Sequence, residues 1–187
     1  MSSLEVPGLD VSARVRARDI QMAAVADVRR RVVMISGAID AVDHDVSASL
    51  NLPEPGRWQL IKSHTNLTDQ TWVAMQVITD EDTTLVNEPD SADVGAMVVS
   101  RQFAKSFMTP DLRRLTFYDG EVRPGEAMLQ VYSIECSTRR PSHHHARYSP
   151  EATDSPEQTA EKLERLVADG MPQRPLIELV IPVTVIG

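Results

Sequence analysis

The sequence is poor in several features that particular classes of protein need. A single cysteine, Cys136, excludes an internal disulfide and fits a reducing compartment. Aromatic residues make up only 4% of the chain, which argues against base stacking or an aromatic cage around a ligand. Basic residues number 19 against 27 acidic residues, so the net charge is −8. This balance argues against general binding to nucleic acids or anionic membranes.

Targeting signals and strong catalytic motifs are also absent from the sequence. No stretch approaches the roughly 18 consecutive apolar residues of a membrane span. The first ten residues lack the basic, apolar and small-residue order of a secretory signal, so we expect a cytoplasmic protein. The sequence contains no glycine-rich phosphate loop, nucleophile elbow, paired-cysteine motif or zinc-protease motif. We therefore predict no cofactor and no metal.

The longest apolar pattern lies in residues 13–50, where apolar side chains recur three and four residues apart. This spacing keeps one side of a helix facing a partner and predicts a long helix. Further apolar residues flank the stripe, which indicates a core or interface helix. The candidate interface residues are Val32, Ile35, Ile39 and Val42.

A second interpretation of this region remains open. Residues 31–36 are rich in β-branched side chains, and Gly37 costs about 1 kcal/mol relative to alanine inside a helix. In this alternative a helix spans Arg14–Arg30 and a buried strand spans Val32–Ile39.

The remainder of the chain predicts strands, one loop and a second helix in a single domain, 1–187. Asp119-Gly120 is a hairpin signal, Ser155 and Gln158 form a capping box for a helix that ends at Gly170, and Pro182 favours the edge or end of the last strand. The predicted segments are an N-terminal arm, 1–12; the long helix, 13–50; a β-rich body, 57–136; a loop, 137–154; and a helix plus final strand, 155–187. The predicted fold is α+β, with a long N-terminal helix packed on a mainly antiparallel β-sheet and a second helix before a C-terminal strand.

Histidines supply the candidate chemical groups. In an extended backbone His143 and His145 would point to one side, as zinc or nickel ligands do. Without a third ligand at a recognised spacing, we interpret His143-His144-His145 as a solvated loop that alanine can replace without loss of folding or binding. We interpret Asp40 and His44 as part of a polar helix face, and His64 as a strand residue.

The C-terminal segment carries a short resemblance to a known family. A helix runs into Gly170-Met171-Pro172-Gln173-Arg174-Pro175-Leu176 and is followed by alternating apolar residues. This resembles the helix-then-Gly-Pro-Pro-Leu turn of SecB-like export chaperones, although here Gln173 and Arg174 separate the prolines. The resemblance implies a β-sheet protein that holds client chains.

Two functional hypotheses follow from these observations. The first is a non-catalytic assembly or protein-binding subunit that acts as a homo-oligomer or with a protein partner. Its basis is the apolar excess and the missing catalytic motifs. The alternative is a small enzyme or ligand-binding domain whose pocket lies between sheet and helix and uses His44, His64 or the His143–His145 loop.

Overall fold

The chain is built mainly of β-strands. A computed structural model describes residues 10–11, 20–88, 97–172 and 174–187. The elements in chain order are β1 (Asp10–Val11), β2 (Ile20–Asp27), β3 (Val32–Ile39), β4 (Asp45–Leu50), β5 (Gly56–Asn66), β6 (Ala74–Thr79), β7 (Thr83–Leu85), β8 (Val99–Ser100), β9 (Phe103–Met108), β10 (Arg114–Gly120), β11 (Ala127–Cys136), β12 (Ser142–Tyr148), α1 (Pro156–Asp169), β13 (Leu176–Ile181) and β14 (Val183–Ile186).

These strands form two seven-stranded sheets. The order in the first sheet is β1-β13-β4-β12-β6-β10-β9. The order in the second is β14-β2-β3-β5-β11-β7, with β8 also paired to β11. Most neighbours are antiparallel, but β13 with β4, β14 with β2 and β3 with β5 are parallel. Apolar side chains from both sheets belong to one buried core, so the inner faces of the two sheets share it.

The predicted long helix over residues 13–50 is wrong. The predicted α+β fold class is also wrong, because the described chain consists mainly of β-strands. The described part of this region forms β2, β3 and β4. In β2, Ile20, Met22 and Ala24 are buried while the residues between them are exposed, which is the period of two of a strand with one covered face. The alternative interpretation is half right. It placed the strand Val32–Ile39 correctly, but its helix is wrong over residues 20–27, and Arg14 to Asp19 lie outside the described residues.

The candidate interface residues lie on this β2–β3 hairpin and just beyond it. Ile35 and Ile39 are 4% and 0% exposed and pack in the core of the chain itself. Val32 and Val42 are partly buried. The helical stripe that joined the four residues does not exist, so the interface prediction loses its structural basis.

Gly37 is required by the packing of β3 against β2. It pairs with Met22 across the hairpin. A Cβ at this position would overlap the carbonyl oxygen of Gln21 and would stand 2.6 Å from Met22 Cγ.

We therefore expect Gly37→Ala to lower the free energy of unfolding by about 1–3 kcal/mol, because the added methyl group overpacks the hairpin. Urea denaturation measures this change. The matched control is Ser36→Ala on the exposed face of the same strand, which should stay within about 0.5 kcal/mol of the wild type. Equal stability of the two variants would contradict the close approach.

The predictions for the second helix and the C-terminal segment are partly confirmed. The capping box at Ser155 and Gln158 is present, and α1 ends at Gly170 as predicted. The apolar side of α1 is only partly buried, however, because none of its residues is fully buried. The predicted single final strand is two strands, β13 and β14, which belong to different sheets and are separated by Pro182. In the described parts of the chain, no helix has the length and apolar character to cross a membrane.

Two local predictions are wrong. The segment 137–154 is not one loop, because β12 spans seven of its residues and pairs with both β4 and β6. Asp119-Gly120 is not a hairpin turn, since both residues belong to the end of β10 and Gly120 pairs with Phe103. Asp119 does have a positive φ of 61°, the conformation that the turn signal indicated.

Candidate functional site

Seven polar side chains are buried between the two sheets, and we call them the inner polar cluster. Strands β5 and β11 of the second sheet contribute four, and β12 of the first sheet contributes three. Each is 6% exposed or less. The members are Lys62, His64, Gln130, Tyr132, His143, His145 and Arg147.

Strand alternation explains why these residues share one space. In β5 every second residue from Trp58 onward is buried, so Lys62 and His64 continue the inward face that Trp58 and Leu60 begin. Lys62 pairs with Gln130 on β11, and paired residues of neighbouring strands project to the same side.

The same alternation operates on β12. His143, His145 and Arg147 are separated by one residue each and project inward, towards β5 and β11. His144 projects to the opposite face of the first sheet, where its Nε2 lies 3.1 Å from Asp45 Oδ2.

Lys62 is the centre of the inner polar cluster. Its Nζ lies 2.6 Å from His145 Nε2, and the tautomer of His145 decides which nitrogen donates this hydrogen bond. The same Nζ lies 4.8 Å from the centroid of the Tyr132 ring. The imidazoles of His64 and His143 stand with their centroids 5.8 Å and 6.0 Å from that of His145. The amine of Lys62 is therefore enclosed by an imidazole and a phenol.

Burial sets the protonation states of these groups. It holds the pKa of Lys62 well below its ordinary value of 10.5, because a charged amine between the sheets would lose its hydration. Burial also lowers the pKa of His64 and His145 well below 6.5, with a smaller contribution from the neighbouring Lys62. For His143 the same causes lower the pKa to about 3. The histidines are consequently neutral imidazoles that can accept protons only at a high energetic cost.

Among the described residues, no carboxylate is placed to hold a charge on Lys62. The acidic side chains that are buried are Asp27 and Asp45. Asp27 bonds Arg30 at the β2–β3 turn, and Asp45 projects to the opposite face of the first sheet with His144. Since a buried ammonium needs a paired anion, burial favours the uncharged form of the Lys62 amine.

Many polar atoms of the inner polar cluster have no hydrogen-bond partner. Buried polar atoms in folded proteins almost always have one, so a concentration of exceptions marks a place where another molecule can bind. Both side-chain polar atoms of Gln130 and both ring nitrogens of His64 are in this state. The full set in the cluster is His64 Nδ1 and Nε2, Gln130 Nε2 and Oε1, Tyr132 Oη, His143 Nε2, His145 Nδ1 and Arg147 Nε.

Arg147 supplies the permanent positive charge of the inner polar cluster. Burial lowers its pKa to about 10, which leaves the guanidinium protonated at neutral pH. Its Nη2 donates a hydrogen bond of 2.5 Å to the carbonyl oxygen of His44. Its Cζ lies 5.2 Å from the centroid of the Trp72 ring. These contacts fix the guanidinium and leave Nε without a partner.

The structure brings some of the predicted site residues together and separates others. His64, His143 and His145 meet in the inner polar cluster, so the prediction that His143-His144-His145 is a solvated loop is wrong. His44 contributes its backbone carbonyl, and the predicted polar helix face with Asp40 and His44 is wrong because these residues do not lie in a helix. Cys136 is a buried free thiol, and burial raises its pKa, as expected for a structural cysteine.

Sequence reasoning missed Lys62, Gln130, Tyr132 and Arg147. A signal for Lys62 existed in the predicted β-rich body, 57–136. Trp58, Leu60, Lys62 and His64 occupy alternate positions there, which in a strand places two ionisable groups on an apolar face. The positions of Tyr132 and Arg147 depend on the pairing of distant strands, and no local pattern encodes it.

The arrangement has the chemistry of an amine nucleophile rather than of a metal centre. In the parts of the chain that the structure describes, no three histidine, cysteine or acidic side chains are placed to share one ion. A groove of about 430 Å³ lies on the surface beside Leu52 and Arg140, and none of the inner polar cluster lines it. The chemically distinctive feature of the molecule is therefore the buried amine with its adjacent imidazole.

Comparison with known proteins gives the family of the chain. No curated protein and no solved structure matches it, so the likeness to SecB-like chaperones gains no support. A family of unknown function, DUF6423, matches residues 22–187, which include every strand except β1 and the first two residues of β2, and every member of the inner polar cluster. The chain belongs to the DUF6423 family.

Proposed function

We propose that the protein is an enzyme that binds a small carbonyl compound as an imine on Lys62. The observation that carries this proposal is the fully buried Lys62 amine, 2.6 Å from His145 Nε2 and with no paired carboxylate among the described residues. Lysines activated by desolvation, or by another cationic group nearby, are the ones that form Schiff bases with carbonyl substrates. The enclosure between two sheets restricts the substrate to a small molecule.

The reaction uses groups that already surround the amine. Nζ attacks the carbonyl carbon and forms a C–N bond, while the carbonyl oxygen gains a proton. In the tautomer with Nδ1 protonated, His145 Nε2 accepts the hydrogen bond from Nζ and orients the amine, and the proton that the nitrogen loses on attack replaces the one given up by the acid that protonates the carbonyl oxygen. The resulting carbinolamine loses water and leaves the imine. The net change is one carbonyl compound and one amine converted to one imine and one water.

Tyr132 is placed to donate the proton to the carbonyl oxygen. Its hydroxyl is buried without a partner, and burial raises the pKa of the phenol above its usual value of 10, so the group stays protonated. The Lys62 amine lies against the ring of the same tyrosine. A phenol beside the attacking nitrogen is a suitable acid for the departing water.

Reductive trapping tests the proposal directly. The protein is incubated at pH 7 with a small ketone and sodium borohydride, which converts an imine to a stable secondary amine, and the adduct is located by peptide mass spectrometry. The sequence contains three lysines, Lys62, Lys105 and Lys162. We expect the adduct on Lys62, because the side chains of Lys105 and Lys162 are 62% and 46% exposed and lie beside Asp119 and Asp154. Labelling confined to the two exposed lysines would contradict the proposal.

A second candidate function, self-association, has its own supporting observation. The side of the second sheet that faces away from the first carries an apolar row across five neighbouring strands, which we call the outer apolar row. Met34 and Val99 in this row are 46% and 44% exposed. The row consists of Val25, Met34, Ile61, Val131 and Val99. We propose that a second copy of the chain covers it, since two-fold pairing sets such a row against itself.

Analytical ultracentrifugation tests the self-association. The wild type should sediment as a dimer at micromolar concentration, and Met34→Asp should sediment as a monomer because an unpaired charge in a dry contact is costly. Ser36→Asp, two residues along the same exposed side of β3, is the matched control and should weaken the dimer less. A monomeric wild type would refute this candidate.

We propose a cytoplasmic location. The support is the free thiol of Cys136, which is buried and has no disulfide partner in a chain with one cysteine. Reduced thiols of this kind are typical of cytosolic proteins.

A further inference from the structure

We propose that the carbonyl compound bound at Lys62 is a short oxo acid whose carboxylate pairs with Arg147. This inference rests on the proposed function and specifies its substrate class. The starting observation is that Arg147 is a buried cation whose Nε has no hydrogen-bond partner.

The charges around Arg147 leave a place for an anion. The charge of the nearest buried carboxylate, Asp45, raises the pKa of Arg147 and partly offsets the effect of burial, but the Oδ2 of Asp45 accepts its hydrogen bonds from His144 Nε2 and from the backbone N–H of Arg174. The inward face carries neutral imidazoles, a neutral amine, an amide and a phenol. A ligand carboxylate on this face would neutralise the guanidinium and satisfy Nε in one contact.

The unpartnered atoms around Lys62 favour a ligand rich in acceptor oxygens. Arg147 Nε, Tyr132 Oη and Gln130 Nε2 all bear hydrogens that no described group accepts. A carboxylate has two acceptor oxygens, and a ketone adds a third. A purely apolar carbonyl compound would leave most of these donors unsatisfied, which is energetically unfavourable.

The spacing along β12 sets the length of the ligand. Lys62 contacts His145, and Arg147 lies two residues further along the same strand, a rise of about 7 Å. The ligand bridges this interval with its carbonyl carbon bonded to Nζ and its carboxylate at the guanidinium. A chain with only a few carbons between carbonyl and carboxylate fits the interval.

The experiment compares an oxo acid with its neutral ester in the trapping reaction. 4-Oxopentanoate and methyl 4-oxopentanoate share one carbon skeleton and one ketone, and they differ in the negative charge. We compare the concentrations of acid and ester that label half of Lys62 in the wild type. The concentration of the acid should be at least about tenfold lower, since a charge-assisted hydrogen bond strengthens binding by about tenfold or more. Arg147→Met and the milder Arg147→Lys should both reduce the acid-to-ester ratio, the first to about one.

Each outcome separates the inference from the proposal beneath it. The matched control is Arg101→Gln, which changes an exposed arginine and should keep the wild-type ratio. Equal labelling of Lys62 by acid and ester in the wild type would overturn the carboxylate pairing and leave imine formation standing. A preference for the acid that survives in both Arg147 variants would overturn it as well. Labelling by neither compound would refute both proposals.

Discussion

Replacing Lys62 with methionine is expected to abolish reductive trapping and, at the same time, to stabilise the fold. Trapping requires the Nζ that methionine lacks, so the borohydride adduct should disappear rather than decrease. Methionine has a similar length and no polar head, and it fits among Ile35 and Leu60 on the inward face of the second sheet.

The gain in stability follows from the lowered pKa of Lys62. In the unfolded chain the amine has its ordinary pKa of 10.5, while in the folded chain burial lowers the pKa well below that value. The unfolded state therefore binds more protons, which favours unfolding at every pH between the two values. Methionine removes this penalty of about 1.4 kcal/mol per unit of pKa depression, and it loses one hydrogen bond worth about 1 kcal/mol. We expect a net rise of about 1 kcal/mol or more in the free energy of unfolding at pH 7.

Urea denaturation and trapping of the same samples measure both effects. Lys105→Met is the matched control, because Lys105 is exposed and lies 3.6 Å from Asp119. It should retain the adduct on Lys62 and remain within about 0.5 kcal/mol of the wild type. A Lys62→Met protein that is less stable than the wild type would contradict this expectation. It would show that the hydrogen bond between the Lys62 amine and His145 is needed for the stability of the fold.

Acid is expected to destabilise the protein steeply below pH 6.5. His64, His143 and His145 have folded pKa values lowered by burial, and that of His143 is about 3. In the unfolded chain each histidine has its ordinary pKa of 6.5. Below this pH the unfolded state therefore binds protons that the folded state does not bind. Their stabilising effect is present above pH 6.5 and is lost as the pH falls below it.

The expected slope is large. Each buried histidine contributes at most about 1.4 kcal/mol per pH unit, and the three together contribute at most about 4 kcal/mol per unit. A domain of ordinary stability, about 5–15 kcal/mol, would then unfold within a few pH units below 6.5. Urea denaturation between pH 5 and pH 6.5, at intervals of about half a unit, measures the slope before most carboxylates titrate.

Removal of one histidine should change the slope by a predictable share. His143→Leu keeps an apolar side chain in the buried position and should reduce the slope by about one third. Ile35→Val, which changes a non-titrating side chain on the same inward face, should lower the stability by about 0.5–1.5 kcal/mol at every pH and keep the slope. A wild-type stability that is flat over this range would mean that these imidazoles are already solvated or protonated in the folded protein.

Local patterns predicted the parts of the fold that are locally determined. The capping box at Ser155 identified α1. Residues 20–39 were misread for a physical reason. Two strands of period two, joined by a turn at residues 28–31, place valine and isoleucine at intervals of three and four by combining inward and outward positions. The β-branched residues before Gly37 indicated the strand β3 correctly, whereas the spacing of three and four indicated a helix.

The candidate site was less predictable, because it forms only when distant strands pair. His143-His144-His145 is polar in composition and predicts a loop, yet β12 is held between β4 and β6 and carries two of the three histidines into the core. Lys62 and His145 are 83 residues apart in the chain and meet across the two sheets. Their contact depends on which face of each sheet packs against the other sheet. The composition of the chain does not predict which faces these are.

The central claim is that Lys62 is a neutral and reactive amine at physiological pH. Its most direct test is the titration of Lys62 by NMR, with ¹³Cε-labelled lysine in the wild type and Lys62→Met used to assign the signal. We predict that the Lys62 signal titrates well below 10.5, while Lys162, whose pKa Asp154 raises, titrates above it. A Lys62 signal that titrates near 10.5 would contradict the claim, since the amine would then be charged and unreactive at neutral pH.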